Sequence, residues 1–390
     1  MPPLDAPPPA DEEIDGPPLA PPPLPAEDEA TRRAAGRSFP CLGCGADLEF
    51  DPRAQAPKCP YCGHVAALET GGAPVAERDL ATALDKAAQK RHAPDSGTPL
   101  HEVSCGACGA VVQFAGALTA TACPYCSQPI QREGVHDSTQ RLPVDGVIPF
   151  QVEDAKARAN LGAWTASRWF LPSELKKSGI AAAFQGVYLP FFTFDALTAN
   201  SYSGLRGDHY TVTVGSGKNR RTIRRTRWRP AAGSFRRFFD DTLECAGSGL
   251  PEKQMSALEP WPLKGCQPFR AEFLAGFFAR TYERPLADCF SGAKKRMEAA
   301  IEADVRSRIG GDVQRIFSLS TGWSALSYKH LLLPVWMASY RFREKNYRIV
   351  VNAATGEVQG ERPWSAAKIA ALVVGILAVV AAIVLVAQSR

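Results

Sequence analysis

The chain has 390 residues, enough for two or three compact units. Its net charge of +5 understates how basic most of it is, because the first thirty residues hold eight acidic residues, no Lys or Arg, and eleven of the 32 prolines. That opening cannot bury a core, lacks the basic start and apolar stretch of a secretory signal, and leaves no sign of an exported precursor.

Residues 1–37 are therefore expected to form a disordered, partly polyproline arm. A solubilising tail is the favoured account of this composition; the alternative is that its PPLAPPPLP run docks in an aromatic-lined groove of a partner.

Two cysteine blocks follow. In residues 38–67, Cys41-Leu42-Gly43-Cys44 is separated by fourteen residues from Cys59-Pro60-Tyr61-Cys62. In residues 102–132, Cys105-Gly106-Ala107-Cys108 and Cys123-Pro124-Tyr125-Cys126 repeat the pattern without a gap, 64 positions later. CPYC is also what a glutaredoxin carries at its active site. A dithiol enzyme, however, needs one pair at the start of a helix in a βαβ unit, and no such helical pattern follows either CPYC. Four thiolates in two CxxC knuckles are the ligand set of a tetrahedral structural zinc site. Glycine after Cys44, Cys62 and Cys108 lets the backbone close around the ion, while Ser127 departs from that rule. The reading is two zinc ribbons and two Zn2+ per chain. Iron in a rubredoxin-like site is the nearest rival, but fourteen residues is short for it. His64, His92 and His101 lie near sets that are already complete, and Cys245, Cys266 and Cys289 read as scattered buried thiols.

The linker over residues 68–101 carries a helical pattern at 78–91, with Leu80, Ala83, Leu84, Ala87 and Ala88 on one face. Residues 141–363 have the composition of a folded domain and contain six of the seven tryptophans. Within them, 153–170 reads as a helix stopped before Pro172. Residues 186–194 (GVYLPFFTF) read as a buried strand, and 210–214 with 222–228 as a hairpin. The pattern predicts a helix over 293–309 ended by Gly310-Gly311, strands at 331–343 and 347–352, and a turn at 352–356. The prolines inside GVYLPFFTF and LLLPVW argue for edge positions or bulges. The two segments echo one another, and each follows a helix preceded by Pro-Phe, which suggests a duplicated helix-plus-strand unit. The fold class is α+β, with antiparallel strands.

From Ile369 to Ala387 there are nineteen residues without a charge. At 1.5 Å per residue they span about 28 Å, close to the hydrocarbon thickness of a bilayer. Residues 365–387 are thus expected to be a single transmembrane helix, with Ser365 as its cap. Trp364 suits the interface and Lys368 can snorkel back to it. The chain then reads as tail-anchored, with Arg362 and Lys368 keeping the body in the cytoplasm.

The ribbons, GVYLPFFTFDA, RWRPAAGSF, FLAGFFARTY, RIGGDVQR, LLLPVW and VVNAATGEVQGERP together resemble a family of bacterial membrane-anchored zinc-ribbon proteins. Its members are often labelled transcription-factor-IIB-type zinc ribbons or primosomal-N′-like proteins. The labels rest on the knuckles alone, and no GxxxxGK[ST] phosphate loop for a helicase is present. Some relatives are encoded near phage-shock-type membrane-stress proteins, which implies a role in assembling proteins at the membrane.

No nucleophile constellation is visible. Asp208-His209 reads as a loop pair, and the side chains of Asp240-Asp241 are expected to point apart. The most charged stretch is Lys218, Arg220, Arg221, Arg224, Arg225, Arg227, Arg229, Arg236 and Arg237, with no acidic residue among them. It is a solvated hairpin, a dock for anionic lipid headgroups, or a nucleic-acid surface. The functional expectation is a non-enzymatic adaptor in the bacterial inner membrane whose ribbons meet protein partners. The alternative is a nucleic-acid-binding ribbon protein tethered there.

Overall fold

The computed structural model describes residues 39–68, 74–90, 100–104, 111–114, 121–122, 129–130, 135–138, 142–178, 183–215, 217, 220–247, 252–342 and 345–388. The expected N-terminal arm lies outside these residues.

The first cysteine block folds around a short antiparallel pair, β1 (Glu49–Asp51) and β2 (Ala56–Lys58). Next come β3 (Arg78–Asp79) and α1 (Leu80–Lys90). Helix α1 turns Leu80, Ala83 and Leu84 onto the body, so the expected connector helix is packed against the main sheet. In the second block, β4 (Leu100–Ser104), β5 (Val111–Phe114), β6 (Thr121–Ala122), β7 (Pro129–Ile130) and β8 (Val135–Ser138) form a three-stranded sheet, β5–β4–β8, and a separate pair, β6–β7.

The body begins with β9 (Gly146–Val147), α2 (Asp154–Ser167) and α3 (Ser173–Ser178). Two very long strands follow, β10 (Ala183–Val214) and β11 (Arg221–Cys245). Then come α4 (Glu252–Ser256), β12 (Gln267–Pro268), β13 (Phe278–Ala279) and the long helix α5 (Leu286–Ile309). A third long strand, β14 (Val313–Phe342), leads to β15 (Lys345–Asn352) and β16 (Val358–Gly360). The chain closes on α6 (Ala366–Gln388). The main sheet runs β11–β10–β14–β15–β16, with β3, β9, β12 and β13 added at its margins.

The sequence pattern breaks β10 and β11 into a strand and a separate hairpin; the structure joins them. The residues between, such as Ala199, Ser201, Ser203, Gly204 and Gly207, are small and belong to no predicted element. Each is nevertheless paired on both sides, to β11 and to β14. Gly204 is required by packing, since a Cβ there would lie 2.2 Å from the Arg315 carbonyl oxygen. At about 3.3 Å per residue, 32 residues make a strand on the order of 100 Å long.

At its base the sheet is buried on both faces, which is why GVYLPFFTF reads as an unbroken apolar run. Val187, Leu189, Leu333 and Val335 pack on Met255, Leu258 and Trp261 on one side. Tyr188, Leu332, Trp336 and Val351 pack on Phe150, α2 and Phe273 on the other. The two echoing segments pair antiparallel to one another, Val187 opposite Val335 and Pro190 opposite Leu332. Both prolines sit inside the sheet, each one residue past the last rung of an outer neighbour. Phe191 pairs Cys245 and Val335 pairs Asn352, and there β11 and β15 stop. The missing proline N–H therefore costs no ladder bond.

Further along, α5 covers one face of the sheet. Leu286, Cys289, Ala293, Met297, Ile301, Val305 and Ile309 recur at three- and four-residue spacing and are all buried. Gly310, in the left-handed region at φ 67°, ends the helix. Past Val313, which pairs Gly207, only the β10–β11 ribbon continues among the described residues. Cys289 is buried and Cys245 and Cys266 half-buried, and burial raises the pKa of all three thiols, to about 11 for Cys245 and about 12 for the other two.

Candidate metal centre

The two knuckles of the first block are built alike. In the first, the Gly45 N–H donates to the Cys41 carbonyl at 2.8 Å; in the second, the Gly63 N–H donates to the Cys59 carbonyl at 3.0 Å. Each turn closes only because its glycine takes φ near +76°, a conformation that a side chain disfavours. The turns aim all four sulfurs at one point. Cys41 Sγ lies 3.5 Å from Cys62 Sγ, and Cys44 Sγ lies 3.5 Å from Cys59 Sγ. All four lie within 4.8 Å of one another.

Tetrahedral zinc with sulfur at 2.3 Å needs sulfur–sulfur separations of about 3.8 Å, so the residues fit the ion. Backbone amides support the sulfurs, Gly43 N–H toward Cys41 at 3.4 Å and Cys62 N–H toward Cys59 at 3.5 Å. The Cys62 amide is the main reason the Cys59 thiol is drawn down to about 6. The thiolate form that a metal requires is therefore favoured at Cys59; backbone N–H groups of Ala46 and His64 also favour it at Cys44 and Cys62, but the neighbouring sulfurs outweigh them, raising Cys44 and pushing Cys62 up to about 12. Cys41 and Cys59 are buried, while Cys44 and Cys62 are exposed. This cluster could hold one metal ion. Cys105, Cys108, Cys123 and Cys126 lie outside the described residues.

The first cysteine block is fixed to the body at the end opposite its knuckles. The Phe50 N–H donates to the Ala275 carbonyl, Gln55 Nε2 donates to the Phe150 carbonyl at 2.8 Å, and Arg53 pairs with Glu153. Phe50 itself is buried against Phe273. The knuckle tips, Leu42 and Tyr61, point away and are 93% and 82% exposed. Attention to the cysteines alone misses these two residues; their position between the ligands was the available signal.

A second cluster was not foreseen. Asp195, Asp240 and Asp241 bring carboxylate oxygens within 4.8 Å of one another. Adjacent strand residues should point apart, but a bulge opposite Asp195 and a left-handed Asp241, at φ 51°, turn Asp240 and Asp241 together. Lys329 Nζ lies 2.8 Å from Asp241 Oδ1 and 3.5 Å from Glu77, so its ammonium offsets part of the cluster's negative charge.

The basic hairpin is placed as follows. Arg220, Arg221, Arg224, Arg225, Arg227, Arg229 and Arg236 are exposed, and Lys218 lies outside the described residues. Arg237 is engaged elsewhere: it pairs with Asp304 at 2.7 Å and covers the Phe239 ring, tying β11 to α5. Arg225, Arg227 and Arg229 alternate along one face, opposite Tyr210, Asp208 and Arg206. His209 Nδ1 meets the Thr226 hydroxyl at 2.9 Å, and its N–H donates to Asp312.

Helix α6 is long and apolar enough to cross a membrane, and none of its residues is buried against the body. Ser365 Oγ accepts the Lys368 N–H at 3.4 Å, a weak cap. Trp364 is exposed beside Phe170. The Lys368 ammonium is turned back onto the body, donating to the carbonyls of Trp169 and Leu171 at 3.1 and 2.8 Å.

No family model matches the chain. It is similar to YdjG, an uncharacterized protein of Bacillus subtilis (strain 168), at 24% identity over 245 residues, which is 59% of this chain and 67% of that protein. No solved structure matches.

Proposed function

We propose that the protein is a zinc-stabilised, non-enzymatic adaptor, held in the bacterial inner membrane by α6, that presents its ribbons to a protein partner in the cytoplasm. The observation that carries this reading is the pair of apolar side chains, Leu42 and Tyr61, at the outward tips of a rigid knuckle pair. Exposed apolar groups on a scaffold that cannot fold them away mark a contact surface. The first ribbon holds only Arg53 and Lys58 as basic residues between its first and last ligand, and Arg53 is committed to Glu153. That composition suits protein better than nucleic acid. Thiolate ligands agree with a reducing compartment, and Arg362 and Lys368 before the span agree with a cytoplasmic body. Two Zn2+ per chain follow if the second block binds as its repeat implies.

The test is photocrosslinking of the full-length protein in its native membrane from a photoreactive residue at position 61. A discrete protein adduct, lost in Leu42→Ser with zinc retained, is the expected result. Absence of any adduct at 42 or 61 would overturn the adaptor reading.

A second reading, a nucleic-acid-binding ribbon protein tethered at the membrane, is favoured by one observation. The β10–β11 ribbon projects alone past Val313 with Arg225, Arg227 and Arg229 on one face, and a two-stranded ribbon fits a major groove.

A further inference from the structure

The corner between α2 and α3, residues 168–171, is joined to the first turn of α6 by main-chain bonds. The Ser365 N–H donates to the Phe170 carbonyl at 2.9 Å. Lys368 donates to the carbonyls on either side of it, those of Trp169 and Leu171. These carbonyls lie in the corner after the end of α2, and the ammonium supplies both with a donor. The corner is thereby held at the level where α6 begins.

Trp169 is 61% exposed, although it is among the largest apolar side chains in the chain. It does not fold onto the body. It forms one wall of a cleft of ≈ 540 Å³ whose other wall is α6, from Lys368 through Leu372 and Ile376 to Val380. Ile376 is eight residues beyond Lys368, about 12 Å along a helix axis. Trp169, Phe170 and Trp364 form a continuous aromatic run, with ring centroids 6.0 and 5.7 Å apart. One guanidinium covers it, with Arg362 4.7 Å from the Trp364 ring; Arg168, which precedes Trp169 in the chain, lies 5.0 Å from the Trp164 ring of α2. An aromatic run backed by a cation matches a headgroup layer above hydrocarbon.

We propose that the 168–171 corner is a second membrane contact: Trp169 is inserted below the headgroups beside α6, and the cleft between them is filled by a phospholipid acyl chain. The inference rests on α6 being the membrane span, and continuity with that span is what selects lipid as the occupant. The body is then docked against the bilayer on a fixed face instead of swinging on a free tether.

The test reconstitutes the full-length protein into vesicles whose phospholipids carry bromine at shallow or deep acyl positions. Trp169→Phe isolates the contribution of that residue among the seven tryptophans; at an exposed position this change leaves the fold intact. The expected result is quenching by shallow bromines of a component of the emission that Trp169→Phe removes, with weaker quenching by deep bromines. If the protein resists alkaline extraction from the vesicles yet that component is not quenched at any depth, the corner is not in the membrane and this inference alone falls. Loss of quenching as protein density rises would place a second copy of α6 in the cleft and overturn the lipid assignment. Release of the protein by alkaline extraction would overturn the anchor and this inference together.

Discussion

Asp195 accepts the backbone N–H of Asp241 at 2.6 Å across the bulge that interrupts the β10–β11 ladder. The Ser327 hydroxyl lies 2.7 Å from Glu77 and 3.2 Å from the other oxygen of Asp195. One hydroxyl proton serves only one of these carboxyls, so a proton on Asp195 completes the set. Asp195 is almost fully buried, and desolvation pushes its carboxyl up to about 6.

Because the folded pKa lies above the ordinary 3.8, the fold holds a proton that the unfolded chain has lost between about pH 4 and pH 6. Stability from Asp195 is present below that window and is lost as pH rises through it. Asp195→Asn keeps an acceptor and stays neutral. It should exceed the parent by on the order of 2 kcal/mol at pH 7 to 8 and match it near pH 4. Denaturant unfolding of the detergent-solubilised pair at matched pH checks this, since acid release of metal is common to both. A constant difference across the window would show that Asp195 does not titrate there.

Cys59→Ser removes one thiolate from the Cys41–Cys62 cluster and leaves the proposed second set, Cys105 to Cys126, untouched. Zinc measured by elemental analysis should fall from two to one per chain, with the body still folded. Loss of both ions would mean that the two blocks are not independent sites. Intact reductase activity in metal-free protein would restore the glutaredoxin reading of CPYC.

Ile301 sits midway along the buried face of α5. Ile301→Ala should cost about 2–5 kcal/mol, because the helix and three strands around it cannot collapse fully into the space. Glu298→Ala, one turn away on the exposed face, should stay within about 0.5 kcal/mol. The ratio of the two, read from unfolding midpoints, tests whether α5 clamps the long sheet.

The exposed arginines of the hairpin separate lipid from nucleic acid. Its tip is carried roughly 85 Å along β10 from Tyr188, in the core that seats the anchor, so lipid docking requires the arm to lie along the leaflet. Protein lacking residues 365–390 should bind anionic vesicles in a salt-sensitive way, with each Lys or Arg worth about 1 kcal/mol. Replacing Arg221, Arg224, Arg225 and Arg227 with Ser should abolish this without loss of zinc. DNA binding at physiological salt should be weak; tight, salt-resistant DNA binding lost on disrupting a ribbon would instead favour the nucleic-acid reading.

The sequence by itself determined those features whose cause is local. Cys41 to Cys62 span 22 contiguous residues, and two glycine turns suffice to gather four sulfurs. The uncharged run that becomes α6, and the buried spacing of Met297, Ile301 and Val305, are likewise properties of one segment. Only the tertiary structure decided what depends on a distant partner. Gly204 and Gly207 carry no local signal; their need for glycine shows only once β14 presses Arg315 and Val313 against them. Asp195, Asp241, Glu77 and Lys329 come from four separate segments, so no spacing announces them. Lys368 looks like a snorkelling lysine until the carbonyls of Trp169 and Leu171, nearly 200 residues earlier, are found within hydrogen-bond reach. Periodicity records which face of a segment is apolar, but not which other segment will cover it; that is set when strand pairing and helix packing bring remote groups into low-dielectric contact.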